Sequence, residues 1–202
     1  KVYAGVQEVI NNSTGVKKTL MQDAVKVGLE HNVNYVCKGL TPPMWLHMKY
    51  KFYEKTIFSL LKKTLGLERG AFFPTAGAAI PPAVQEFILS VGINMVAGYG
   101  LTESIATVSC ENNFDHKIGS VGKLMPHMQI KFGENDEILL KGPAITQGYY
   151  KKEAATKASF TEDGWFRTGD AGYMEDGFLF LTERIKDLFK TSNGKYIAPQ
   201  AI

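Results

Sequence analysis

The sequence predicts an α/β fold followed by a small β-barrel, and three observations carry that expectation. Residues 1–70 show apolar side chains at helical spacing, and residues 71–100 read as strand, helix, strand. Beyond about residue 105, short β segments alternate with hairpin turns. With 202 residues, 45% of them hydrophobic and 21% charged, the chain is long enough for one or two domains with an apolar core.

The helices come first. Val2, Val6, Val9 and Ile10 share a helical face, as do Leu20, Ala24, Val25 and Val27, and Asn11-Asn12-Ser13-Thr14-Gly15 separates the two. Thr41-Pro42-Pro43 marks a turn. A further helix is predicted over 48–65, stopping before Gly66, with Phe52, Ile57, Phe58, Leu60 and Leu61 as its buried stripe.

The β-α-β segment follows. Ala71-Phe72-Phe73 is a short apolar strand, and Thr75-Ala76-Gly77-Ala78-Ala79 is a loop of small residues. Pro81-Pro82 opens a helix through Val84, Phe87, Ile88 and Leu89 to Gly92, since a first-turn proline gives up no hydrogen bond there. The second strand covers 93–97 and ends at Gly98-Tyr99-Gly100. A right-handed crossover makes the two strands parallel. Their C-terminal loops then converge at one sheet edge, where open α/β sheets place ligands.

In the β-rich part, segments 127–132 and 137–141 flank the turn Gly133-Glu134-Asn135-Asp136. Tyr173-Met174 and 178–181 flank Glu175-Asp176-Gly177. One helix, around 152–159, interrupts them.

Charge and cysteine usage narrow the function. The net charge of +3 is spread as isolated pairs such as Lys17-Lys18, Lys62-Lys63 and Lys151-Lys152, which disfavours a nucleic-acid partner. Cys37 and Cys110 read as two buried thiols in a reducing compartment, and the histidines His31, His47, His116 and His127 have no metal-ligand spacing. No apolar run reaches the roughly 18 residues that a membrane span needs, and the polar N-terminal segment reads as a helix rather than a signal peptide.

Three motifs carry chemistry. In Gly98-Tyr99-Gly100-Leu101-Thr102-Glu103-Ser104, the glycines let backbone approach a ligand and Tyr99 offers a flat face for a base. Thr102 brings a hydroxyl donor, and Glu103 a hard oxygen suited to magnesium. A glycine turn with Tyr99 in the core explains those seven residues equally well. In Trp165-Phe166-Arg167-Thr168-Gly169-Asp170, the carboxylate can accept from a vicinal diol, and the plainer alternative is a turn in which Asp170 caps its own backbone. The third, Glu183-Arg184-Ile185-Lys186-Asp187-Leu188-Phe189-Lys190 with Gly194-Lys195-Tyr196-Ile197 after it, reads by default as an exposed edge strand guarded by lysines.

Together and in this order, the three motifs resemble the adenylate-forming superfamily, which includes acyl-CoA synthetases, luciferases and adenylation domains of peptide synthetases. Thr75-Ala76-Gly77-Ala78-Ala79-Ile80 is similar to its adenine loop, with Ala79 where proline is common. Gly119-Ser120-Val121-Gly122-Lys123 and Lys141-Gly142-Pro143 with Gly148-Tyr149-Tyr150 resemble its barrel motifs. The long-chain fatty acid–CoA ligase branch is suggested by Lys1-Val2-Tyr3-Ala4-Gly5, by Pro74-Thr75-Ala76-Gly77 and by 191–200.

The resemblance implies the second half of the family's large αβ subdomain followed by its distorted β-barrel subdomain. Residues 1–110 would form the partial α/β subdomain with the adenine and phosphate loops, and 111–183 the barrel. Residues 184–202 would be the hinge and the start of a C-terminal domain, making the chain an internal fragment. By the same resemblance, Gly77 and Ala78 line adenine, and Tyr99, between Gly98 and Gly100, stacks on it. Thr102 binds the α-phosphate, Glu103 the magnesium, and Asp170 the ribose hydroxyls with Arg184 beside them. Lys186 resembles the hinge residue, and Lys190 a lysine that some members use in one half-reaction.

The implied reaction joins a fatty acid to CoA through an acyl-adenylate, with ATP consumed to AMP and diphosphate and Mg2+ required. The implied location is cytoplasmic, with peripheral membrane contact allowed. The family's Ser/Thr/Gly-rich phosphate loop does not occur in these 202 residues, so the isolated chain is expected to be inactive. Two alternatives stand beside this reading: a ligase for another carboxylate, and a non-catalytic AMP-binding module. The presence of Thr102, Glu103, Asp170 and Arg184 together argues against the second.

Overall fold

In the computed structural model, which describes residues 2–78, 80–185, 189–190 and 196–197, the chain divides into two compact units. The first comprises residues 1–96 and 111–119, the second 97–110 and 120–202.

The first unit is mainly helical. Helices α1 (Val2–Asn12) and α2 (Gly15–Gly28) are separated where the Asn-Ser-Thr-Gly stretch predicted a break, and α2 continues into a π-helical segment, Leu29–Tyr35. Pro43, extended at φ −57° and ψ 147°, starts α3 (Met44–Tyr53). A second π segment, Glu54–Phe58, joins α3 to α4 (Ser59–Thr64). This helical run begins four residues earlier than the sequence predicted, because a proline favours the extended backbone that precedes a helix. Its buried stripe also differs from expectation. Leu46, Tyr50, Tyr53 and Phe58 are buried, whereas Phe52 and Leu60 are 58% and 66% exposed. Phe52 precedes the π segment and lies off the Leu46–Tyr50–Tyr53 face at ordinary α-helical spacing, whereas beyond it the extra residues in the π turns carry Leu60 off the core face.

Strand β1 (Phe73–Thr75) and helix α5 (Pro82–Ser90) complete this unit, with Pro82 in the first helical turn as the sequence implied. The strand begins two residues later than expected, and Phe72 is exposed. The core joins Ala24, Val27, Leu46, Tyr50, Tyr53, Phe58, Phe87, Val91 and Ile93. Each such large apolar side chain contributes about 1.5–3 kcal/mol on burial.

The second unit is β-rich. Strand β2 (Met95–Tyr99) runs into it, and its end pairs antiparallel with β3 (Ser109–Cys110), Gly98 opposite Cys110 and Tyr99 opposite Ser109. Strand β3 in turn pairs antiparallel with β4 (Lys123–Leu124). A four-stranded antiparallel sheet follows in chain order: β5 (Gln129–Phe132), β6 (Glu137–Lys141), β7 (Phe166–Glu175) and β8 (Phe178–Arg184).

Both predicted hairpins are present. In the second, Glu175 faces Phe178 across a two-residue turn, and Asp176 and Gly177 take φ 50° and 82°, as a tight right-twisted hairpin requires. Helix α6 (Glu153–Ala158) interrupts the strands. The core of this unit gathers Tyr99, Val108, Met128, Ile138, Leu140 and Leu179. Backbone bonds between Val121–Gly122 and Leu179 tie the glycine motif to β8. Strands β9 (Phe189–Lys190) and β10 (Tyr196–Ile197) form a separate antiparallel pair. The α/β part and the β-rich part expected from the sequence are thus both found.

Candidate functional site

Tyr99 sits at the last position of β2, and alternation along the strand turns its ring into the core, leaving the residue 7% exposed. A buried phenol needs a partner for its hydroxyl. Here the hydroxyl donates to Oδ2 of Asp170 at 2.7 Å. Burial first, and then the Asp170 carboxylate, hold the Tyr99 phenol well above the ordinary tyrosine value.

Asp170 lies in the middle of β7, not in a turn, which corrects the plainer reading of its motif. Gly169 takes φ 72°, and in the β6–β7 pairing the two steps from Leu139 to Glu137 face four on β7, from Arg167 to Ala171. The glycine therefore makes a bulge, and a bulge re-aims the next side chain. Thr168 fixes the bend: its hydroxyl donates to the Ile138 carbonyl at 2.8 Å and accepts the Asp170 N–H at 3.1 Å. The other carboxylate oxygen of Asp170 accepts from Arg184 Nε at 3.1 Å, the two residues being paired across β7 and β8. The Asp170 side chain is 13% exposed and that of Arg184 56%.

The loop after Tyr99 is shaped by close approach. A side chain at Gly100 would place its Cβ 1.4 Å from the Ala106 carbonyl oxygen. Only glycine fits. Thr102–Ser104 forms a 3-10 turn, closed where the Leu101 N–H donates to Ser104 Oγ at 2.9 Å. Ile105 and Ala106 then take φ 50° and 76°, a left-handed backbone that non-glycine residues seldom adopt. Thr102 is exposed and Glu103 half-buried.

Glu103 is held at both ends. Its carbonyl accepts the Thr146 N–H at 2.7 Å, and its carboxylate Oε1 accepts the Tyr149 hydroxyl at 2.7 Å. The bond to Glu103, with burial second, raises the Tyr149 phenol above its ordinary range. The sequence placed Tyr149 in a barrel motif without assigning it a role. The signal that locates it is the contact itself, between residues 46 apart in the chain.

The structure thus brings Tyr99, Asp170 and Arg184 into one hydrogen-bonded group and anchors Glu103 to Tyr149, all within the second unit. Gly77, at φ 93°, and Ala78 are exposed and belong to the first unit, as does the strand that precedes them. Lys186 lies outside the described residues. Of Lys190, the structure describes the backbone in β9.

A magnesium ion fits the donors in one respect. No cluster of three or more metal-binding side chains occurs among the described residues. A single carboxylate at a turn, as at Glu103, matches the way magnesium is shared between one acidic side chain and the phosphates of a nucleotide. No helix among the described residues is long and apolar enough to cross a membrane.

Residues 14–150 match the family model described as AMP-binding enzyme. Over 167 residues the chain is 35% identical to a long-chain-fatty-acid–CoA ligase of Mycobacterium bovis, covering 82% of this chain and 28% of that protein. Over 218 residues it is 30% identical to the peroxisomal long chain acyl-CoA synthetase 7 of Arabidopsis thaliana, covering 100% and 29%. A 2-succinylbenzoate–CoA ligase of Listeria monocytogenes is 39% identical over 155 residues, covering 72% and 33%.

Among solved structures, the O-succinylbenzoate coenzyme A synthetase of Bacillus subtilis in complex with ATP and magnesium ion matches at TM-score 0.57. It is 29% identical over 70% of this chain and 33% of that one. A Mycobacterium tuberculosis fatty acyl CoA synthetase matches at TM-score 0.53, with 27% identity over 68% and 32%. The chain spans 28% to 33% of the length of the three curated relatives.

Proposed function

The chain belongs to the AMP-binding enzyme family, and on that premise we propose that it carries the ribose- and α-phosphate-facing part of an acid–thiol ligase acting on long-chain fatty acids. The observation that carries the reading is the group formed by Tyr99, Asp170 and Arg184 beside the Gly98–Glu103 loop. A carboxylate with both oxygens oriented by neighbours is preset to accept the two hydroxyls of a ribose. The Tyr99 ring lies in the core, so in this proposal the residue serves the site through its hydroxyl, which orients Asp170, rather than as an open face for a base.

In the reaction proposed, a fatty carboxylate oxygen attacks the α-phosphorus of ATP, forming the acyl-adenylate as the bond to diphosphate breaks. The CoA sulfur then attacks the acyl carbon and AMP leaves. Such a step depends on positioning and on neutralising charge at the phosphorus. In it, Thr102 donates to the α-phosphate, Asp170 and Arg184 hold the ribose end, and Glu103 faces the cation. Bound Mg2+ would supply the compensating positive charge.

Long-chain specificity rests on the relatives with the widest cover of this chain, which include the Arabidopsis and Mycobacterium enzymes. A ligase for an aromatic dicarboxylate is the second reading, favoured by the 39% identity to the 2-succinylbenzoate enzyme. Calorimetry with two non-hydrolysable acyl-adenylate mimics, palmitoyl and succinylbenzoyl, separates them. Tighter binding of the palmitoyl mimic is expected, and preference for the succinylbenzoyl mimic would transfer the proposal to the second reading. Without a glycine-rich phosphate loop in its 202 residues, the chain by itself is proposed to make no acyl-CoA from ATP, CoA and palmitate. Measurable product would overturn that.

A further inference from the structure

We propose that Tyr149 is a positioning residue, which sets the Glu103 carboxylate in the orientation that a nucleotide-bound divalent cation requires. The inference rests on the reading of Glu103 as the cation-facing carboxylate and extends it to a residue with no part in that reading.

The geometry of the 103–106 turn makes a second support necessary. Glu103 lies in a three-residue 3-10 turn, and the two residues that leave the turn have left-handed backbones. Nothing in so short a turn fixes the direction of a half-exposed glutamate side chain, which has three rotatable bonds to distribute. The fixing comes from the segment that ends β6 and leads to α6. Thr146 N–H donates to the Glu103 carbonyl, and the Tyr149 hydroxyl donates to Oε1, each at 2.7 Å. Backbone and side chain are therefore pinned by the same loop.

Tyr149 is itself held. Its N–H donates to Thr156 Oγ1 at 2.9 Å, which ties it to α6, and Gly148 N–H is taken by Thr146 Oγ1 at 3.3 Å. The next residue, Tyr150, is 86% exposed and stands beside Lys151, so neighbouring tyrosines of one loop divide into one buttress and one bystander.

A carboxylate offers about four lone-pair sites, so a phenol on one oxygen leaves room for a cation on the same group. Partners that hydrogen-bond a metal-facing carboxylate orient it, and their loss costs roughly tenfold or more in metal affinity. Tyr149 has the position, the donor and the support for that task.

The test uses the 202-residue chain with ATP and Mn2+ as the paramagnetic probe, read by the spectrum and affinity of bound Mn2+. Tyr149→Phe keeps the ring and removes only the donor. Roughly tenfold weaker Mn2+ binding is expected in its ATP complex, and wild-type affinity in Tyr150→Phe. Metal-free AMP binding and the melting temperature of Tyr149→Phe should stay at wild-type values, which separates orientation from general damage.

If Glu103→Gln abolishes Mn2+ binding while Tyr149→Phe matches wild type, the positioning role is wrong and the reading of Glu103 stands. If Glu103→Gln binds Mn2+ as wild type does, or the wild-type chain gives no Mn2+ signal of its own, the reading of Glu103 falls and the inference with it.

Discussion

The hydroxyl of Tyr99 donates to Oδ2 of Asp170 at 2.7 Å, linking residues 71 apart, and Arg184 Nε takes the other oxygen at 3.1 Å. Asp170 is therefore oriented from the strand end on one side and from its cross-strand partner on the other. Tyr99→Phe removes one of these donors from a carboxylate that is nearly buried. A stability loss of about 1–3 kcal/mol is expected in urea denaturation, the cost of leaving a buried acceptor short of its partner. Asp170→Ala should leave the sheet intact and weaken AMP binding about tenfold, as loss of a charged hydrogen-bond acceptor does. Unchanged AMP affinity would remove Asp170 from the site.

Gly100 is required by space. Its Cβ would meet the Ala106 carbonyl oxygen at 1.4 Å, a distance that only backbone movement relieves. Gly100→Ala should therefore displace the 101–106 loop and lower stability by several kcal/mol, on the order of the largest single-site effects. Gly5, inside α1, has nothing within 4 Å of its would-be Cβ. Gly5→Ala should be stabilising by about 0.5–1 kcal/mol, the helix-propensity gain. Thermal melts of the two variants test the contrast directly.

Phe58 and Phe52 test the helical register. Phe58 is 1% exposed and packs in the first core, whereas Phe52 is 58% exposed. Phe58→Ala is expected to cost about 3–5 kcal/mol. Phe52→Ala should fall within about 0.5 kcal/mol of wild type. Equal losses would mean that Phe52 shares the buried face with Phe58, against the helix face described.

The hairpins were legible because local chemistry dictates them: Asp176-Gly177 accepts the two positive φ values that a two-residue turn needs. The helix start at Pro82 was legible for the same reason. The stripe on 44–64 was not, because a π segment leaves no composition signal and shifts every residue beyond it. Gly169-Asp170 resembles a turn in sequence yet is a bulge inside a ten-residue strand, and only the pairing of β7 with β6 and β8 decides between the two. The place of Tyr149 is not legible in the sequence, because its bond to Glu103 joins segments 46 residues apart and leaves no trace in spacing.

Cys37 makes the first unit sensitive to alkali. Burial, with the Glu111 carboxylate adding to it, pushes the thiol up to about 11 from an ordinary value of 9.0. Above pH 9 the unfolded chain releases this proton before the folded chain does. The contribution is therefore complete below pH 9 and declines as pH rises through 11. Urea midpoints at pH 8 and pH 10.5 should fall less in Cys37→Ala than in wild type. At pH 8, Cys37 should react with iodoacetamide more slowly than the half-buried Cys110, since the thiolate is the nucleophile. A Cys37 that alkylates as fast as Cys110 would contradict its burial.

Gln85 stands at the centre of a buried polar network in the first unit. Its amide nitrogen donates to both oxygens of Glu111 at 3.2 Å, and its amide oxygen accepts the Gly119 N–H at 2.8 Å. His116 Nδ1 meets Glu111 Oε2 at 3.2 Å, and the three side chains are buried. Removing the amide takes two hydrogen bonds from a buried carboxylate that keeps His116 and leaves the Gly119 N–H without its Gln85 acceptor, and buried polar groups are costly to leave short of partners. Gln85→Ala should therefore destabilise by about 3 kcal/mol or more. Replacing the charge as well should be milder, because an amide at position 111 needs less compensation than a carboxylate. In the Gln85→Ala background, Glu111→Gln is thus expected to recover part of the lost stability, read as a rise in urea midpoint. A double variant as unstable as the sum of the two single variants would show that the amide of Gln85 does not serve the charge of Glu111.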